Sequence, residues 1–218
     1  MDVQHETNRL ARIQYAVLIK AAICLILLLC NAAENIQGAA WLSYNGPVGD
    51  VGAVLDMLTE CMLIYSIYSS FLFHGIFTKS VRCFCSSVSA YCLGMILTSI
   101  EILLYTSNYE QEAFIVSSFV VAVVIAGECA SLLGLFFLAL GYSRMQKRLG
   151  ENEHAAMIPK IATGSLIIAL LLLGINTLTE SSALSNAYSV VKIAVGCWLF
   201  IIMRETNAKI YRQLMGGV

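Results

Sequence analysis

The sequence predicts an all-α membrane protein, a bundle of six transmembrane helices with both termini in the cytosol. Three observations point there. Of 218 residues, 59% are hydrophobic and only 12% charged, against about 25% charged in soluble domains, and mean hydropathy is +0.78. Several apolar runs reach the roughly 20 residues a helix needs to cross a hydrocarbon core of about 30 Å. The chain has only two prolines and lacks the period-two alternation of a membrane β-barrel. Lysine and arginine also gather in alternate connecting segments, as the positive-inside rule requires.

Taken in order, residues 1–14 are polar, with Arg9 and Arg12, and precede a first span at about 15–33. This span could be read as a signal peptide, because small residues follow its apolar stretch near Ala32. The long leader and Lys20 within the run favour an uncleaved span. Residues 34–50 are too polar to cross; Trp41 and Tyr44 suit an interface, and Asn45, Gly46 and Pro47 read as a turn. Span two follows at about 51–77 and a short basic loop holds Lys79 and Arg82. Span three covers about 84–105, and the next loop carries Glu110 and Glu112 with no basic residue. Span four runs over about 114–141, a basic loop over 142–160, span five over about 161–178 and span six over about 187–203. The tail adds Arg204, Lys209 and Arg212.

With the N-terminus inside, every lysine and arginine lies in or beside an inner segment except Lys192, provided Lys20 snorkels inward. A seven-span chain would need the polar 34–50 segment as a helix and would expose the basic tail outside. The halves 1–3 and 4–6 have opposite orientation, as in inverted-repeat transporters, without visible internal sequence similarity. No linker divides the chain, so residues 1–218 form one domain.

The candidate site is a graded set of ionisable residues within the spans. Glu128 lies near the middle of span four; by helical rise, Glu60 lies roughly 6 Å toward the outer side, Glu101 roughly 9 Å and Asp56 roughly 12 Å. Lys192 is level with Glu60. Asp56 and Glu60, four residues apart, share one helix face. An acid facing lipid at mid-depth costs about 2.5–3.5 kcal/mol, so these groups are expected to face the interior, with water or Lys192 among them. A Glu128–Lys192 pair requires spans four and six to be neighbours. Buried acids of this kind also serve simply to fix helix packing through hydrogen bonds. Ala126, Ala130 and Gly134 repeat at four-residue spacing, a small-residue pattern for close helix approach, with Glu128 on the other side of the helix.

Other chemistries lack motifs. There is no phosphate-binding P-loop, and His5, His74 and His154 are too scattered for zinc or haem. Cys83 and Cys85 have one residue between them, not the two of a redox pair; beside Arg82 they are candidates for S-acylation. None of the eight cysteines falls in an outer segment, so no disulfide framework is expected. A retinal-type Schiff base at Lys192 has the wrong span count. The net charge of −1 gives no reason to expect nucleic acid.

The expected function is therefore transport, as carrier or channel, of a cation, proton or amine-bearing solute through an acidic outer-half cavity of Glu128, Glu60, Asp56, Glu101 and Lys192. Alternatives are a receptor binding its ligand there, or a non-catalytic scaffold or subunit. No enzyme activity, cofactor or metal is expected; the lipid bilayer is the partner, with a homo-oligomer or a membrane partner subunit as further possibilities.

Overall fold

Apolar backbone in a bilayer must satisfy its N–H and C=O groups internally, which leaves helices as the economical solution. A computed structural model of the chain describes residues 3–37, 47–70, 80–107, 114–179 and 181–215, and these are entirely helical apart from short turns. The helices are α1 (Val3–Gln37), α2 (Pro47–Ser70), α3 (Val81–Ser107), α4 (Phe114–Arg148), α5 (Asn152–Thr179) and α6 (Ser182–Met215). Five contain stretches long and apolar enough to cross a membrane: Leu10–Ala33, Val81–Leu104, Phe119–Arg148, Asn152–Thr179 and Ala183–Gln213. The remaining helix, α2, has 24 residues and carries Asp50, Asp56 and Glu60. Trp41, Tyr44, Asn45, Gly46, His74, Lys79, Glu110 and Glu112 lie outside the described residues.

Helices continue well past the apolar spans. The segment expected as a loop at 142–160 is mostly helix, with a turn only at 149–151. Hydropathy falls where the chain leaves lipid, whereas the helix ends only where its backbone is capped. Here the cap is Gly150, with φ of 87°. Glu151 N–H donates to Gln146 C=O and Gly150 N–H to Lys147 C=O, the pattern of a Schellman motif, which needs a left-handed residue and so favours glycine. Pro47 starts α2, where its missing N–H costs nothing.

Neighbouring helices pack in chain order, α1 against α6 closes the ring, and α4 also touches α6. Because α4, α5 and α6 contact one another, α5 sits outside a five-helix ring of α1, α2, α3, α4 and α6. The end carrying both chain termini, here the terminal end, is densely packed. Its core joins Leu10, Ile13 and Val17 of α1 with Leu63, Tyr91, Leu138, Tyr142, Leu199 and Met203.

The most extensive seam lies between α3 and α4. A Cβ on Gly134 would stand 2.8 Å from the Tyr91 ring, one on Gly141 2.9 Å from Phe84, and one on Gly127 3.5 Å from Leu97. The glycines thus recur every seven residues and face a matching repeat of Phe84, Tyr91 and Thr98. Ser87 Oγ donates across the seam to Gly134 C=O at 2.8 Å. Of the four-residue series expected to pack, Ala130 and Gly134 are buried but Ala126 is exposed. A four-residue step advances about 40° around a helix while a seven-residue step drifts only about 20°, so the longer repeat keeps a straighter seam.

Pro159 lies within α5 and supplies no N–H to the carbonyl of Ala155. Ser143 Oγ on α4 donates to that carbonyl at 2.7 Å. At the surface, Lys209 Nζ meets Glu151 Oε1 at 2.8 Å; the hydrogen bond from Lys209 and its positive charge hold the Glu151 carboxyl below its ordinary range.

Ser143→Ala is expected to lower stability by about 1–3 kcal/mol, since it orphans a buried carbonyl. Gly134→Ala should cost about 1–3 kcal/mol by forcing Tyr91 aside, whereas Ala126→Leu should stay within about 0.5 kcal/mol. Unfolding midpoints in detergent check all three. The Glu151–Lys209 contribution is present above the usual glutamate range and is lost as pH falls through the depressed Glu151 value. Lys209→Met should therefore flatten a small acid-side decline in the midpoint.

Candidate functional site

The site begins with two lysines placed on helices that nearly touch. A Cβ on Gly196 of α6 would lie 2.8 Å from Ala21 Cβ of α1. That close approach puts Lys20 and Lys192 around one small crevice with Cys24. Each ammonium is matched by carboxylates from a different helix.

Lys20 Nζ lies 2.7 Å from Asp56 Oδ1 and 3.1 Å from Glu60 Oε1. The four-residue spacing of Asp56 and Glu60 turns both toward the same ammonium. Ser131 Oγ of α4 donates to Glu60 Oε1, and Glu60 Oε2 lies 3.4 Å from where a Cβ on Gly94 would stand. The lysine and Glu60 side chains are only 5% and 4% exposed, Asp56 29%. Four helices thus close on one ion-pair triad whose Lys20 and Glu60 are buried.

The second cluster lies between α4 and α6. Lys192 Nζ contacts Glu128 Oε2 at 2.9 Å and Oε1 at 3.3 Å. Tyr188, one turn earlier on α6, donates its hydroxyl to Glu128 Oε2 at 2.6 Å, and Lys192 Nζ stands 5.2 Å from the centre of the Tyr188 ring. Contact between α4 and α6 makes this pair, which spacing within either helix cannot do.

A cavity of about 140 Å³ connects the clusters, bounded by α1, α2, α3, α4 and α6. Asp56, Glu101, Glu128, Ser131 and Lys192 lie on its wall. It extends toward the end opposite the termini, where Asn31 Nδ2 donates to Asn186 Oδ1 at 2.7 Å. Polar cavities of this size hold ordered water. It is smaller than the roughly 300–1,000 Å³ of sites for drug-sized molecules, so it suits an ion with water or a very small solute. Among the described residues the Glu101 carboxylate has no ion-pair or hydrogen-bond partner, and it shares the cavity wall with Glu128. Four carboxylates against two ammoniums leave the site with excess negative charge.

The expected site residues are thus gathered on one space, apart from Glu60, which lies behind Asp56 and Ser131. Lys20 departs from expectation. Rather than snorkelling, its ammonium is buried inside the bundle and paired with Asp56 and Glu60. Four intramembrane acids with only Lys192 to balance them were the available signal for a second buried cation. Ser131 and Tyr188, one turn from Glu128 and Lys192, join the site as well; the spacing places each on the face of its charged neighbour, while the Ser131 partner, Glu60, stands on another helix. Of the acylation candidates, Cys83 is buried and Cys85 exposed. Among the described residues no cluster of metal-ligating side chains forms.

Lys20→Met is expected to destabilise the protein by about 3–5 kcal/mol, because it leaves two buried carboxylates without a counter-ion. Adding Asp56→Asn and Glu60→Gln should recover most of that loss in the unfolding midpoint. Failure of the triple variant to recover would refute the triad as a mutually neutralising unit.

No protein-family model, curated protein or solved structure matches the chain.

Proposed function

We propose that the chain is a six-span membrane protein with cytosolic termini that transports a proton, small cation or small amine-bearing solute through the five-helix cavity. For the topology, α2 at 24 residues is about 36 Å long, enough to cross. Arg12, Arg82, Arg144, Lys147, Arg148, Lys160, Arg204 and Lys209 sit toward the terminal end, which the positive-inside rule puts in the cytosol.

For transport, the observation that carries the reading is a small polar cavity with excess carboxylate at membrane depth. Charges are retained there at a cost, and an arriving cation finds Glu101 without a paired ammonium. Glu128 is the deeper station: a cation competing for it must displace Lys192, which then has Asp56 as an alternative partner across the cavity. Such an exchange lets occupancy alter how α4, α6 and α2 are held. A receptor is the second reading, favoured by the dense packing of Leu138, Tyr142, Met145 and Leu199 beneath the cavity.

The paired variant Glu128→Gln/Lys192→Met removes both charges and avoids an unpaired ion. In reconstituted vesicles it should keep its unfolding midpoint to within about 1 kcal/mol and lose pH-dependent cation uptake. Undiminished uptake would remove Glu128 from the mechanism; cation binding without flux in the native protein would favour the receptor.

A further inference from the structure

The packed terminal half contains buried polar groups that the cavity does not use. The hydroxyls of Tyr91 and Tyr142, Gln146 Oε1 and Asn207 Oδ1 are buried with no hydrogen-bond partner among the described residues. Native interiors leave few such groups without protein or ordered water to satisfy them.

These groups follow the bundle axis. Tyr91 is fully buried and feels the charges of Glu60 and Asp56. Its ring lies against Gly134, one turn along α4 from Ser131, the donor to Glu60. Further along α4, Tyr142 and Gln146 stand one turn apart. The Tyr142 hydroxyl lies beside Asn207 of α6 without closing a hydrogen bond. Asn207 Nδ2 donates to Gln14 Oε1 of α1 at 3.3 Å, and Gln146 Nε2 to Thr206 Oγ1 at 3.0 Å. From Ser131 to Gln146 the rise is about 22 Å, from the cavity floor to the terminal end.

We infer that these groups hold a file of ordered water and that Glu60 feeds protons into it, so that the species moved is the proton. The inference rests on the transport reading and narrows it. Glu60 is faced by Lys20 of α1, Asp56 of α2, Tyr91 of α3 and Ser131 of α4; Lys192 of α6 acts on Asp56 from across the cavity, and α5 lies outside the ring. Two carboxylates against one ammonium leave this triad one negative charge in excess, which one proton cancels. A hydronium in the cavity gives a proton to the Ser131 hydroxyl on its wall and becomes water, as Ser131 passes its own proton to the Glu60 carboxylate. The Glu60 carboxyl then passes that proton to a water beside Tyr91. Each water or tyrosine hydroxyl accepts one proton and releases another, while the carbonyl oxygens of Gln146 and Asn207 hold the waters in line. One proton leaves at the terminal end, Glu60 is again a carboxylate, and no group is oxidised or reduced.

The test uses the full chain in vesicles with an internal pH dye, a potassium ionophore and an imposed pH gradient. The native protein should dissipate the gradient. Tyr91→Phe and Tyr142→Phe keep their rings and should each slow dissipation by about tenfold or more with an unchanged or raised unfolding midpoint. A merely structural hydroxyl would leave the rate unchanged, and that result overturns the file. Glu60→Gln should abolish flux; where it fails to fold, the tyrosine variants decide. Native vesicles that pass sodium or methylammonium but no protons refute the proton inference and leave the transport reading intact. Vesicles that pass none of the three refute both.

Discussion

An ammonium buried in a membrane protein is tolerable only beside carboxylates, and in this protein the carboxylates come from other helices. Lys20 of α1 is met by α2, and Lys192 of α6 by α4. Removing one partner from such a pair is far more costly than never having built it, so the pairs dictate which helices stand together. The close contact of Gly196 with Ala21 brings the two lysines around one crevice. The remaining ring geometry follows from serving both at once.

The two ends of the bundle solve different problems. Toward the terminal end, aromatic side chains enter notches left by Gly134 and Gly141, so α3 and α4 approach closely and their contact is held by dispersion and by the Ser87 hydrogen bond. Toward the other end, polar and charged groups from five helices hold the backbones apart around a cavity. The close seam lies beneath the polar cavity, so Lys20, Asp56, Glu128 and Lys192 lie toward the half where space is left between the helices. The buried polar groups along Tyr91, Tyr142, Gln146 and Asn207 are the exception within the packed half.

Small devices connect these regions to the helix ends. Ser143 satisfies the carbonyl that Pro159 leaves open, which lets α5 keep its proline while packed on α4. Gly150 turns the chain sharply between them. Both act locally, and both are legible from proline and glycine chemistry once the neighbouring helix is known. α5 contributes nothing to the cavity wall and presents much of its length outward, with Ile167, Leu171 and Leu178 exposed.

Apolar length determined the helical, membrane-spanning character of the chain, because a bilayer leaves the backbone few alternatives. Helical spacing likewise determined that Asp56 and Glu60 share a face. Tertiary structure decided which cation they meet: Lys20 and Asp56 are 36 residues apart in sequence, and no local period relates them. It also chose the Gly127, Gly134 and Gly141 seam over the one through Ala126, since the opposing repeat of α3 selects among faces that look alike in α4 alone. Charge pairing and close packing depend on what stands across the gap, and periodicity within one helix does not encode that.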